Sequence, residues 1–178
     1  MIVRSEQSSD RQAIAAVTER AFAGVGERGA DRLVNALREG PAQISLVAAD
    51  ESGDVIGHVL LSRGWVDASL RLVEVLILSP LSVEPARQSC GIGGRLVRAA
   101  IAAASDWGAP ALFLEGPPNY YGRFGFVAGS TVGFTRPSVR IPEPAFQVIT
   151  LPRIENWMTG ALVYPDAFWV ADSVGLRT

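Results

Sequence analysis

The sequence predicts an α/β (α+β) fold: a mixed, mostly antiparallel central sheet flanked by helices, with a β-α-β crossover built into it. Three observations carry that reading. Two strand-like runs, Ile44 to Ala49 and Val55 to Ser62, are joined by a polar turn containing Gly53, as in a hairpin. A long apolar strand passes through a polar turn with closely spaced glycines and restarts as a helix, which is followed by another apolar strand. Near the N-terminus, apolar residues recur at helical spacing.

In chain order, Ile2 to Glu6 reads as a short first strand, and Ser8, Ser9 and Asp10 offer caps to the helix that follows. Ile14, Val17, Ala21 and Phe22 define the inner face of that helix, over residues 10–22, and Gly24 and Gly26 break it. A second helix covers Ala30 to Arg38 with Leu33, Val34 and Leu37 inward, and Gly40-Pro41 stops it. After the hairpin, Leu70 to Leu78 is an apolar strand interrupted by Glu74. Residues 91–106 form a helix with Leu96, Val97, Ala100, Ile101 and Ala104 inward. Ala111 to Leu114 is a fully apolar strand, as a buried parallel pairing requires, and the crossover is right-handed by rule. Pro117-Pro118 opens a short helix that ends at Gly125. Gly129 to Phe134 and Phe146 to Leu151 read as the final strands, separated by a proline-rich loop from Arg136 to Pro144. No internal repeat or linker divides the chain, so residues 1–178 are expected to form one domain.

Composition excludes several functions. The 178 residues are 48% hydrophobic, enough for a sizeable core, and the net charge of −2 provides no global field for nucleic acid. Cys90 is the single cysteine and His58 the single histidine, so neither an internal disulfide nor a Cys/His metal cluster is expected. The polar N-terminus lacks a signal-peptide core and no apolar run is long enough to span a membrane. The expectation is a reduced, cytoplasmic enzyme without a metal, a membrane or a nucleic-acid partner.

The chemistry centres on Leu76 to Leu96. Gln88, Gly91 and Gly93 form Q-x-x-G-x-G between a strand and a helix. The first amides of a helix lack intrahelical partners and stand at its positive end, and glycine lets phosphate oxygens approach them. A pyrophosphate at this helix start is the expectation, although Gly-x-Gly alone is also a common turn. A Walker loop would need Gly-Lys-Ser/Thr, whereas Arg95 and Leu96 follow Gly94; a dinucleotide fingerprint would need a third glycine where Leu96 stands.

With Leu81, Val83, Pro85, Gln88, Gly91, Gly93 and Leu96 in this order, the stretch resembles the acetyl-CoA loop of the GNAT acetyltransferase superfamily. Tyr120-Tyr121-Gly122-Arg123-Phe124-Gly125-Phe126 resembles the Y-x-x-x-G-F end of that fold in its bacterial YhbS-like branch. Val163-Tyr164-Pro165-Asp166-Ala167-Phe168 is similar to that branch's closing V-x-Y-P-x-A-F. The resemblance implies acetyl-CoA as co-substrate, with its pantetheine along Leu81, Ser82 and Val83 and its pyrophosphate on the loop Gln88, Ser89, Cys90, Gly91, Ile92, Gly93 and Gly94. It also implies two parallel strands that splay apart and a bulge, with which Pro80, lacking an N–H, is compatible. A backbone N–H near Val83 is placed to polarise the thioester oxygen.

The resemblance makes Tyr121, five residues before Phe126, the general acid for the departing thiolate, with Tyr120 as core or cleft wall. The base departs from the family pattern, because Ile77 occupies the usual glutamate position. Glu74 falls on the opposite face of a regular strand, and His58 is a weaker candidate than a water relay or an amine that arrives neutral. Cys90 has no assured activating partner and reads as a small loop residue. Glu27, Arg28 and Asp31 either border the acceptor or are solvated charges. The aromatic closing segment, with Trp157, Tyr164, Phe168 and Trp169, either packs on the sheet or covers a homodimer interface. The implied activity is direct acetyl transfer to a primary amine on a small molecule or peptide; the alternative is a non-catalytic coenzyme-A-binding or sensor domain.

Overall fold

The computed structural model describes residues 1–23, 30–40 and 42–175. In chain order the elements are β1 (Ile2–Ser5), α1 (Arg11–Phe22), α2 (Ala30–Arg38), β2 (Ala42–Ala49), β3 (Val55–Ala68), β4 (Leu72–Val83) and α3 (Ile92–Trp107). They continue with β5 (Ala111–Glu115), α4 (Pro118–Tyr121), β6 (Val127–Ala128), β7 (Phe134–Thr135), β8 (Phe146–Thr150), β9 (Gly160–Val163) and α5 (Asp166–Val170). The main path through the sheet is β1-β2-β3-β4-β5-β8-β6, and β9 joins the far half of β3 and carries β7. Among the described residues, only the pairs β4–β5 and β7–β9 are parallel.

Three sequence expectations are corrected. Gly129–Val132 is a 3-10 turn closed by Gly133 at φ 87°, and of the expected strand only Phe134 is extended, together with Thr135 beyond it. The hairpin strands are longer than expected: β3 runs on to Ala68, and β4 begins at Leu72 and continues through Pro80 to Val83. Strand β9 was not expected at all; it pairs with β3 from Trp65 to Ala68, beyond the end of β2.

Alternation in β3 sorts the core onto two faces. Gly57, Val59 and Leu61 face α3, and a Cβ on Gly57 would touch Leu96 at 3.0 Å. His58, Leu60 and Ser62 face the opposite way, where Leu60 packs with Leu33 and Leu37 of α2 and Phe168 of α5. The α3 face holds Leu76, Leu78, Leu96, Val97, Ala100 and Leu112. The small alanines of α3 let this helix sit close to the sheet.

Two irregularities in β4 open the sheet. First, Val59 pairs with Leu81 but Leu61 pairs with Leu78, so β4 holds one residue more than β3 across this interval, at Ser79–Pro80. This is a β-bulge, and it reverses the alternation downstream. Leu81 and Val83 consequently lie on the α3 face, while Ser82 turns away and pairs its hydroxyl with Thr18 of α1 at 3.2 Å. Second, the β4–β5 ladder comprises Leu76↔Leu112 and Ile77↔Phe113, whereas β4 runs to Val83 and β5 to Glu115. Past Ile77 the two strands part, as the family resemblance implied.

Candidate active site

The sheet gap leads to a cleft of about 670 Å³ at the start of α3. One wall is the end of α1, with Ala21 and Phe22; the floor is Leu81 and Val83 of β4. The far wall is Tyr120, Arg123 and Phe124, and the loop from Gln88 to Gly94 closes the end. Arg20 of α1 holds the two sides together by gripping Glu84 with both carboxylate oxygens, at 3.0 and 2.7 Å.

The loop is shaped to leave its amides free. Gly91, the residue before α3, adopts φ 82°, a left-handed conformation that side chains resist. The first helical bond is Arg95 N–H to Gly91 O at 3.1 Å. Among the described residues, the amides of Ser89 to Gly94 have no protein acceptor. Gln88 folds back instead, and its Nε2 donates to Val83 O at 3.2 Å, tying the loop to the strand. The result is a row of unpaired N–H groups at the positive end of a 16-residue helix.

Of the residues expected to hold the coenzyme, Leu81, Val83, Gln88, Ser89, Gly91, Ile92, Gly93 and Gly94 all line this cleft. Ser82 and Cys90 stand outside that lining. Ser82 is buried toward α1, and Cys90 is exposed in a neighbouring concavity with Met1, Arg87 and Arg95. Tyr121 is buried behind the cleft wall, against Phe126 and beside Gly116, the first residue past β5. Tyr120 is half-buried in the wall, with its hydroxyl 2.5 Å from where a Cβ on Gly93 would be. Burial raises the Tyr120 pKa, and Arg123 and Arg98 offset this only in part. Sequence reasoning missed Arg87, Arg98 and Phe124 as cleft residues and left Arg123 unassigned.

The candidates for a base lie elsewhere. Ile77 is 1% exposed and packs its Cδ1 over Gly64. Glu74 lies at the far end of β4, paired with Arg63 at 2.8 Å. His58 is fully buried, and burial lowers its pKa to about 4 although Glu6 acts to raise it. Its Nε2 meets the Ser45 hydroxyl at 2.9 Å, and that hydroxyl donates to Glu6. The chain Arg38–Glu6–Ser45–His58 therefore ties α2 to β1, β2 and β3 as a structural network. Glu27 and Arg28 lie outside the described residues, as does the side chain of Asp31. Among the described residues no acidic, Cys or His cluster fit for a metal ion occurs, and no helix is long and apolar enough to cross a membrane.

Comparison with known proteins bears on this geometry. The family model described as "Acetyltransferase (GNAT) family" matches residues 11–126. YhbS of Escherichia coli K12, an uncharacterized N-acetyltransferase, is 32% identical over 94% of this chain and 98% of its own. YjhQ of the same organism, also an uncharacterized N-acetyltransferase, is 36% identical, with the match spanning 66% of this chain and 65% of YjhQ. The crystal structure of E. coli YhbS in complex with CoA aligns with TM-score 0.84 and 29% identity, covering 99% of this chain and 95% of that one. A GNAT family acetyltransferase of Brucella melitensis in complex with acetyl-CoA aligns with TM-score 0.76 and 32% identity, over 94% of this chain and 97% of that one. With its loop, parted strands and YYGRFGF segment in the expected order, this chain belongs to the acetyltransferase (GNAT) family, in its YhbS-like branch.

Proposed function

We propose that the protein transfers an acetyl group directly from acetyl-CoA to a primary amine of a small molecule or peptide. The observation that carries this is the row of unpaired amides from Ser89 to Gly94 at the end of a cleft floored by Leu81 and Val83. Such a row suits a pyrophosphate, and β4 past Ile77, no longer paired with β5, offers backbone groups to a pantetheine arm. The relatives crystallised with CoA and acetyl-CoA support the same ligand. No metal takes part in this reading, and the reaction belongs in the cytoplasm, where acetyl-CoA is available.

Tyr121 is the proposed general acid. It stands five residues before Phe126 and beside Gly116, where β5 has left β4. Tyr120 is the rival donor because it lines the cleft, but its hydroxyl lies against Gly93, at the pyrophosphate end. That place suits a coenzyme contact rather than protonation of sulfur. With Ile77 sealed in the core, base catalysis falls to water or to the acceptor's own neutral amine. The same residue is what favours the second reading, a domain that binds coenzyme A without turnover.

Thiol release from acetyl-CoA over a panel of primary amines tests the proposal, with calorimetry of CoA and ATP alongside. Turnover with some amine and binding of CoA but not ATP is the expected result. Tight CoA binding with no turnover on any amine favours the second reading, and preference for ATP overturns both. In the active enzyme, Tyr121→Phe is expected to lower kcat by roughly 10²-fold, and Tyr120→Phe to raise KM for acetyl-CoA instead.

A further inference from the structure

The cleft carries more positive charge than a pyrophosphate at a helix start requires. Arg87, Arg98 and Arg123 all line it, and among the described residues none of the three is paired with a carboxylate. This concentration occurs in a chain whose net charge is −2. Arg98 and Arg123 converge although they are distant in sequence, because Phe124 gathers them. The guanidinium carbon of Arg98 lies 5.1 Å from the centre of the Phe124 ring, and that of Arg123 lies 5.6 Å from the same centre and 4.7 Å from the centre of Tyr120. Each stem is also tethered: Arg98 Nη1 donates to Gly94 O at 3.4 Å, and Arg123 Nε donates to Tyr120 O at 3.1 Å. Phe124 rests on Gly94, where an added Cβ would meet its ring at 3.3 Å. Two oriented cations thus stand beside the first turn of α3 without covering its amides. Arg98 is rooted six residues after Ile92 and reaches back to Gly94, so its guanidinium flanks the first turn while the amides before it stay free for another anion.

Resting on the reading of this cleft as the acetyl-CoA site, we propose that Arg98 and Arg123, braced on Phe124, form a second anion seat that takes the 3′-phosphate of the coenzyme. The protein then distinguishes acetyl-CoA from its 3′-dephospho form. The chemistry fits: in coenzyme A the 3′-phosphate and the pyrophosphate are separated only by the ribose, and guanidinium forks match phosphate oxygens better than any other side chain. Flat aromatic support limits the motion of both cations before the ligand arrives.

Titration calorimetry with CoA and 3′-dephospho-CoA tests this on the wild-type chain and on the double variant Arg98→Gln/Arg123→Gln. Wild type is expected to bind CoA about tenfold or more tighter than dephospho-CoA, as charge-assisted hydrogen bonds would give, with a preference that shrinks as salt rises. The double variant is expected to bind both forms alike, at the wild-type affinity for dephospho-CoA. Both replaced side chains are exposed, so an unchanged melting temperature will accompany these results. Equal affinities in wild type overturn the seat while leaving the coenzyme site standing. Equal weakening of both ligands by the double variant also overturns it. Failure of either form to bind wild type overturns the coenzyme reading itself, and the seat with it.

Discussion

At the residue scale, His58 shows how a titratable group can be legible as a residue type and misleading as a site. A single histidine near a catalytic strand invites a role as base, yet its ring is sealed and its pKa is about 4. The consequence is a pH dependence of stability. In the unfolded chain the imidazole takes its proton near 6.5, while the folded chain refuses it until about 4. Unfolding therefore gains protons in this window, and stability falls as pH drops through it, by up to about 3 kcal/mol. Thermal melts from pH 7 to 4 are expected to show that decline, and His58→Gln to flatten it. Glu6 and Asp10, held below their ordinary values chiefly against Arg38 and Arg4, add their own losses only at the acid end. Ile77 gives the complementary case. Glutamate is the usual occupant of this position in the family, but here Gly64 and Phe113 close around the side chain. Ile77→Glu is expected to cost about 3–5 kcal/mol and to confer no activity, as denaturant titration and a rate assay will show.

At the element scale, β4 and the loop that follows do most of the functional positioning. The grip of Arg20 on Glu84 fixes the end of α1 over the cleft, and its carboxylate is about three-quarters buried, with 23% exposure. Glu84→Gln is expected to raise KM for acetyl-CoA several-fold with little change in kcat, since it loosens a wall without touching the reacting atoms. Gly91→Ala forces a side chain into φ 82° and is expected to cost about 1 kcal/mol of stability together with coenzyme affinity. The helices were legible in sequence because α1, α2 and α3 carry apolar stripes at helical spacing, although no side chain caps α1 or α3, and the expected breaks at Gly24, Gly26 and Pro41 lie outside the described residues. The bulge was legible through Pro80, and the turn that opens α3 through its glycines. By contrast, β9 is a four-residue strand whose partners lie far away in sequence, so no local pattern announces it. The stretch from Gly129 to Phe134 misled because its apolar residues suggested extension, while Gly129 and Gly133 bracket a turn. Arg98 and Arg123 escaped notice for a related reason: what brings them together is a shared aromatic ring, a tertiary contact.

At the scale of the whole molecule, the sheet is a partition between two cores and the cleft is a defect in that partition. Helix α3 covers one face and α1, α2 and α5 cover the other. A ligand seated across α1, β4, α3 and α4 adds contacts that tie these elements together. Because such a ligand binds the folded chain alone, CoA at one hundred times its Kd is expected to add about 2.7 kcal/mol of stability. For a chain of this size that corresponds to a melting point higher by about 5–10 °C, which differential scanning fluorimetry will detect.

The parting of β4 from β5 has one more consequence. Bare strand rims ordinarily lie on a sheet's perimeter, where they recruit neighbouring polypeptides and seed aggregates. Here two such rims face each other indoors, with a helix above and another below. Their unpaired groups therefore stand between two helices rather than on the perimeter, where a neighbouring chain would pair with them.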